Sequence, residues 1–432
     1  MSHIQIRPSI LKGNINIPPS KSLSHRAIIC AALAKGRSKM ENIIFSDDII
    51  ATLEGMKSFG MEVVDIATDP NTNRSYITVE GKGELTKRAE TIHCKESGST
   101  LRFLIPLACV VGERFKLEGK GKLVERPLTS YYNIFDKQEI KYSNIAGKLP
   151  LTIEGKLKPG TFELEGNISS QFITGLMFAL PLLYEDSVIE ITTELESKGY
   201  IDLTIDILNK YSIKIINDNY YRFYVPGNQK YKPLDYIVEG DFSQAAFWIV
   251  AGILNEDIVL KGLNINSLQG DKEILDIVNR MGANIIKKSE DIIVKNSQTN
   301  GIVIDASQWP DLVPVLAVLG ALSKGRTEII NAQRVRIKES DRLMAISKEL
   351  NRIGADIVET NEGLIINGVK SLSGGIVDSW NDHRIAMALA IASTKCKEPL
   401  IIKNSHVVNK SYPGFWQDFM SLGGIINEWN MG

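Results

Sequence analysis

Six times along the chain a short polar turn opens into a helix-length run of apolar residues. The runs are PSKSLSHRAIICAALAKG from Pro19, KESGSTLRFLIPLACVVG from Lys95, GNISSQFITGLMFALPLL from Gly166, EGDFSQAAFWIVAGILNE from Glu239, ASQWPDLVPVLAVLGALSKG from Ala306 and DSWNDHRIAMALAIASTKC from Asp378. Successive starts lie 76, 71, 73, 67 and 72 residues apart, which is a repeat of about seventy. A helix that is apolar all round must be enclosed on every side. Each unit also carries a second, amphipathic helix, seen in LEGMKSFGMEVVDI, ILDIVNRMGANIIKK and ISKELNRIGADIVE, which can lie at a surface. Runs such as SYITVEG, VIEITTE, DIIVKN and EGLIINGV have the alternation or β-branching of strands. The predicted unit is strand, buried helix, strand, amphipathic helix, then a strand pair.

Three units per half predict an α/β protein of two similar inside-out domains, with three helices inside each and sheets outside. Extended segments near Asn14 to Pro19 and Tyr231 to Val238 read as the crossings. The expected domains are 19–235 for one half, and 1–18 with 236–432 for the other, so that the first strand joins the C-terminal half. The length of 432 residues agrees, being too great for one ordinary core and suited to two domains of roughly 200 residues.

Composition narrows the function. With 44% hydrophobic and 23% charged residues the chain is of globular type. Its 50 Lys and Arg against 51 Asp and Glu give no general attraction to nucleic acid or to an anionic membrane. The N-terminus lacks the apolar core of a signal peptide and LVPVLAVLGAL is too short to span a bilayer, so the expected location is cytoplasmic. Cys30, Cys94, Cys109 and Cys396 show no CxxC spacing and read as buried reduced thiols; five scattered histidines without HExxH argue against zinc.

Candidate chemistry gathers where the apolar helices begin. In Pro18–Arg26, PPSKSLSHR, serine oxygens can cap a first turn, and Lys21, Arg26 and the positive helix end converge on a natural anion site. Gly98, Ser99 and Arg102 open the next run, and Arg126 lies in VERP before a second helix. Ser169, Ser170 and Gln171 open the third, with Ser197 later in ESKGYID. In the second half Asp241, Asp311, Lys338, Glu339, Arg342, Asp382, Arg384 and Lys410 hold the same kinds of position. Asp47 and Asp48 read as first-turn caps and His383 as a structural residue. The sequence has no GxxxxGK[ST] and no GxGxxG after a strand, so the anions are those of small substrates rather than of ATP or a dinucleotide.

PSKSLSHRA, SGSTLR, VERPL, SSQFITGL, SKGYID, EGDFSQA, IKESDR, NDHRIAMA and NKSYPGF, in this order over nearly the whole chain, resemble the 5-enolpyruvylshikimate-3-phosphate synthases of the shikimate pathway. The resemblance implies two domains of three βαβαββ units closing around shikimate 3-phosphate and phosphoenolpyruvate, with no metal or organic cofactor. By position, Lys21, Ser22, Arg26, Ser169, Ser170, Ser197, Asp311 and Lys338 would hold shikimate 3-phosphate. Lys21, Gly98, Arg126, Gln171, Arg342, Arg384 and Lys410 would hold phosphoenolpyruvate. Asp311, Glu339 and Lys21 would move protons, Asp311 being the better base and Glu339 and Lys21 both candidates for the acid. About six negative charges on the two substrates would meet seven Lys or Arg in these positions. A monomer is the default expectation, and the charge balance predicts one that binds neither nucleic acid nor membrane; the resemblance suggests competition by glyphosate, in which Gly98 leaves room for the longer ligand.

The sequence departs from the better-known pattern at Glu96, Ser99, Phe103 and Arg334, which bears on the pocket wall. The related enolpyruvyl transferases acting on a UDP-sugar would carry a reactive cysteine in a mobile loop, whereas GKGKLVERP contains none. An RNA-end-processing protein on similar units would show a basic surface or stacking aromatics, and the sequence offers neither.

Overall fold

The computed structural model describes residues 3–69, 74–288 and 291–428. The chain forms two compact units, Pro19–Val238 and Met1–Pro18 with Glu239–Gly432. Each has its own apolar core.

The described residues form six four-stranded sheets of one topology. In the unit that begins near Lys95, Thr91–His93 lies parallel to Phe115–Glu118, which pairs antiparallel with Lys148–Glu154, whose outer neighbour is Lys141–Ile145. The parallel pair follows from a helix crossing between its strands and the antiparallel one from a hairpin, so one βαβαββ run yields the order first, second, fourth, third.

Three strands leave their local unit. Gly13–Asn16, ahead of the first buried helix, pairs parallel with Ile258–Lys261, with Ile15 opposite Leu260. Tyr236–Ile237, ahead of the fourth, pairs parallel with Lys35–Glu41, with Tyr236 opposite Met40. His3–Arg7 takes the fourth-strand place between Leu400–Lys403 and Ile425–Glu428. The boundary between units falls after Val238 rather than after Asp235. Tyr236 and Ile237 are held by the strand ladder, and the Val238 N–H donates to the Glu41 carbonyl at 2.9 Å.

The buried helices are Lys21–Leu33, Gly98–Val111 and Ser170–Ala179 in one unit, and Phe242–Leu254, Val313–Ala321 and His383–Ser393 in the other. Every residue of the last three is buried. Truncating Ile249 or Leu316 to Ala there would cost about 2–5 kcal/mol. The amphipathic helix Arg342–Arg352 instead turns Leu343, Ile346 and Leu350 inward at helical spacing. Five of the six buried helices begin at a side-chain cap: Ser20, Ser97 and Ser169 in the first unit, Asp241 and Asp382 in the second. Among the described residues no helix is long and apolar enough to cross a membrane. The four cysteines are free and buried.

Candidate active site

In the unit Pro19–Val238 the candidate residues converge on the helix starts. Ser20 caps the first buried helix by accepting the Leu23 N–H. One residue on, Lys21 places its ammonium 2.8 Å from Asp48 Oδ2, in the first turn of Asp47–Lys57. The cap of that helix is Ser46, so Asp48, read from sequence as a cap, instead holds a cation. Its carbonyl also faces the Thr100 hydroxyl at 3.5 Å. A buried chain of 2.7 Å contacts, His25 to Thr52 to Thr100 to Ser97, ties the first helix to the second.

Arg26 is buried, 3% exposed. Its Nε donates to Thr204 Oγ1 at 2.9 Å, Nη1 to the Ser22 carbonyl at 2.8 Å and Nη2 to the Tyr200 carbonyl at 3.0 Å. Burial pushes its pKa down to about 10, partly opposed by Tyr200. Arg26 thereby fixes the start of Lys198–Lys210 against the start of the first helix. The cap of Lys198–Lys210 is Ser197, 3% exposed, with left-handed backbone (φ 58°) and no side-chain capping bond. A non-glycine residue in that region is strained, and such strain concentrates at functional positions.

Gly98, Ser99, Arg126 and Gln171 form a second group, joined by Arg102. Gln171 donates its amide to Ser99 Oγ at 3.0 Å and accepts from Arg102 Nη1 at 3.0 Å, while Arg102 Nη2 reaches the Pro127 carbonyl at 3.2 Å. A Cβ on Gly98 would lie 2.6 Å from Arg126 Nη1 and 3.0 Å from Arg102 Nη1, so the missing side chain admits two guanidinium groups. Ser169 caps Ser170–Ala179 through the Gln171 N–H. Phe103 lies in the core rather than in a pocket wall, against Phe178 at 5.5 Å and with the Arg26 guanidinium over its ring at 5.5 Å. Glu96 abuts Gly121, and Arg334, in the other unit, donates to the Ser307 carbonyl at 2.9 Å.

In the unit containing Glu239–Gly432 the same positions carry acids. Arg342, 1% exposed, donates from Nε to Asp382 Oδ2 at 2.7 Å, from Nη1 to Asp311 Oδ1 at 2.8 Å and from Nη2 to Glu339 Oε2 at 2.7 Å. Arg384 donates to Asp311 Oδ2 and to its carbonyl, both at 3.2 Å, and the Lys338 ammonium stands 3.7 Å from Asp311 Oδ1. Burial alone raises the Asp311 pKa, but Arg384, Lys338 and Arg342 outweigh it and hold the carboxyl well below the usual range. Burial likewise raises Asp382, and Arg342 brings it below its ordinary value. Arg342 is pushed up by its three acids against the opposing effect of burial. Removing the guanidinium from so enclosed a group of carboxylates would cost about 3–5 kcal/mol.

Asp382 also caps His383–Ser393 through the Arg384 N–H at 2.9 Å and accepts from Ser340 at 3.1 Å. His383 is buried at the first helical position, its ring 3.8 Å from the Asp382 carboxylate. Lys410 closes the 3-10 helix Ser405–Lys410, which packs on His383–Ser393. Sequence reasoning overlooked Asp271, 3% exposed, which accepts from Ser243 Oγ. Burial and the nearby Asp311 charge raise it to about 6, against Arg384 and Ser243. Arg102, one turn after Gly98 in SGSTLR, was visible at a helix start but had no assigned role.

Residues 6–419 match the family model described as EPSP synthase (3-phosphoshikimate 1-carboxyvinyltransferase). A 3-phosphoshikimate 1-carboxyvinyltransferase of Clostridium novyi is 60% identical over 434 residues, covering all of both chains, and one of Clostridium kluyveri is 54% identical over 432 residues, again covering all of both. Among solved structures, an EPSP synthase from Acinetobacter baumannii superposes with a TM-score of 0.81 at 24% identity, covering 99% of this chain and 100% of that one. The enolpyruvyl transferase NikO from Streptomyces tendae gives 0.79 at 15% identity, covering 99% and 98%. The last two bear on the fold alone.

Proposed function

The chain belongs to the EPSP synthase family, and from that premise we propose which of its residues serve the two substrates. The enzyme transfers the enolpyruvyl group of phosphoenolpyruvate to the 5-hydroxyl of shikimate 3-phosphate and releases phosphate. In our reading shikimate 3-phosphate is held by Lys21, Ser22, Arg26, Ser169, Ser170, Ser197, Asp311 and Lys338. Phosphoenolpyruvate is held by Lys21, Gly98, Arg126, Gln171, Arg342, Arg384 and Lys410. Arg26 and Arg342, each bound on all three nitrogens, act chiefly by their field and by fixing their neighbours.

The observation that carries the reading is the Asp311 carboxylate clasped by Arg342, Arg384 and Lys338 beside Glu339. With Arg384, Lys338 and Arg342 all turned to it, Asp311 is held well below the usual carboxylate range and is a poor base for an alcohol. The substrates' phosphates and carboxylates compete for Arg384 and Lys338, and as those cations turn to them Asp311 regains basicity. A single opposing charge is worth about 1–3 pKa units to a carboxylate. Asp311 then takes the proton of the 5-hydroxyl as its oxygen attacks C2 of phosphoenolpyruvate, while Glu339 or Lys21 delivers a proton to the methylene carbon. The resulting tetrahedral adduct gives a proton of its methyl group back to the group that delivered one and expels inorganic phosphate, which forms the enol ether.

We read the enzyme as a cytoplasmic monomer, and the near balance of 50 Lys and Arg with 51 Asp and Glu gives it no general attraction to nucleic acid or anionic membrane. Mixing the protein with both substrates and following inorganic phosphate tests the function. Release is expected only when both are present. Release from phosphoenolpyruvate alone, or none with both, would sink the reading.

A further inference from the structure

The loop that delivers Asp382 and Arg384 bends at two consecutive residues with left-handed backbone, Trp380 (φ 55°) and Asn381 (φ 52°). Asn tolerates this region, but a residue as bulky as Trp rarely does. Such a conformation persists only where the surroundings over-determine it. Here the determinant is Glu349, 1% exposed, on the helix Arg342–Arg352. Its Oε1 accepts the Trp380 indole N–H at 2.9 Å, and its Oε2 accepts the Asp378 N–H at 3.2 Å and Arg352 Nη1 at 2.9 Å. Asp378 in turn accepts the Trp380 N–H at 2.7 Å. One buried carboxylate therefore pins the turn on both sides of Ser379.

The helix that carries Glu349 touches this loop a second time. Its first residue, Arg342, binds Asp382, so the loop is fixed at Trp380 by one end of the helix and at Asp382 by the other. An ion pair with Arg352 alone needs neither the indole nor the Asp378 amide, and Arg352 is 47% exposed. A recess of about 450 Å³ borders Glu349, Trp380 and Lys403 and leaves the indole room to swing away once its acceptor is gone.

We propose that Glu349 is a positioning residue for the transferase reaction, holding the Trp380–Asn381 turn so that Asp382 stays on Arg342 and Arg384 meets phosphoenolpyruvate in the right direction. The proposal rests on the reading that Arg384 holds that substrate. It is tested by steady-state kinetics with both substrates for Glu349→Gln, Trp380→Phe, the double variant and Arg384→Lys. Trp380→Phe keeps an aromatic side chain but replaces the indole with the smaller phenyl ring, removing the N–H donor together with the pyrrole part of the ring. Glu349→Gln puts an amide N–H₂ or a neutral oxygen where Asp378 and Arg352 donate.

The KM for phosphoenolpyruvate should rise about 10-fold in Glu349→Gln and about 3-fold in Trp380→Phe, with a smaller change for shikimate 3-phosphate. The double variant should be no worse than Glu349→Gln, because both changes loosen the same turn. If Glu349→Gln and Trp380→Phe lower only the thermal midpoint and leave both KM values unchanged, or if their effects simply multiply, the latch is wrong. Arg384→Lys separates the two ideas. A raised KM there with normal values in the other variants overturns the latch alone, whereas an unchanged KM there overturns the ligand assignment.

Discussion

The two units begin their buried helices with different chemistry. In Pro19–Val238 the caps are Ser20, Ser97 and Ser169, and Arg26 and Arg102 donate to hydroxyl, amide and carbonyl oxygens. In the unit with Glu239–Gly432 two caps are Asp241 and Asp382, and Arg342 and Arg384 donate to carboxylates. Serine satisfies the terminal N–H groups without neutralising the positive helix end, whereas aspartate does both. The serine-capped starts therefore keep a field that attracts anions. The aspartate-capped starts form a nearly neutral ion network with carboxylates available to move protons. On the proposed assignment the first half contributes mainly neutral donors and cations for binding, and the second adds the carboxylates for proton transfer to binding cations of its own.

The strongest way to break this division is Glu339→Gln. The change keeps the shape and an acceptor for Arg342 while removing the acid. It should lower kcat by about 100- to 10,000-fold and leave both KM values nearly unchanged. Near-normal turnover would leave Lys21 as the acid and move proton delivery into the serine-capped unit.

Acids in the second unit should also show in its stability. Asp271 is raised from 3.8 to about 6, so the folded state binds its proton more tightly than the unfolded chain does. Its contribution is present below pH 3.8 and is lost as the pH rises through 6, a change of about 3 kcal/mol. Asp271→Asn should flatten the fall in stability between pH 4 and 6, read as urea midpoints. Wild type and variant with parallel pH profiles would contradict this placement. Acid groups with lowered values, such as Asp311 and Asp382, lose their contributions at lower pH and do not mask the window.

Gly98→Ala probes the binding side. The added methyl meets Arg126 and Arg102 rather than empty space, and must displace the flexible Arg126 guanidinium. Inhibition by glyphosate, longer than phosphoenolpyruvate, should weaken by about 5- to 150-fold, the KM for phosphoenolpyruvate should rise less, and kcat should hold. Equal inhibition of both proteins would remove Gly98 from the pocket.

The periodic and local features of this site were legible in the sequence. The repeat, the serines and aspartates at helix starts and the cation positions all follow from spacing and from residue type at a turn. What escaped depends on partners brought together by the fold. Arg26 is fixed by Tyr200 and Thr204, 174 and 178 residues away. Glu349 looks like any charge on an amphipathic helix until Trp380 arrives from the next repeat of the same compact unit. Phe103, suspected of shaping the pocket, faces the core because helix rotation, not distance along the chain, decides its direction. The domain boundary lies at Val238 rather than at 235 because Tyr236 and Ile237 pair with Lys35–Glu41, within the expected crossing.

The division of labour is tested most directly on Asp311→Asn, by titrating shikimate 3-phosphate calorimetrically and following phosphate release with the same preparation. The substitution removes a base and also one negative charge beside Arg342, Arg384 and Lys338. The account predicts affinity equal to or tighter than that of the wild type, with release slowed at least about 100-fold. Near-normal release, or a loss of affinity as large as the loss of rate, would contradict it.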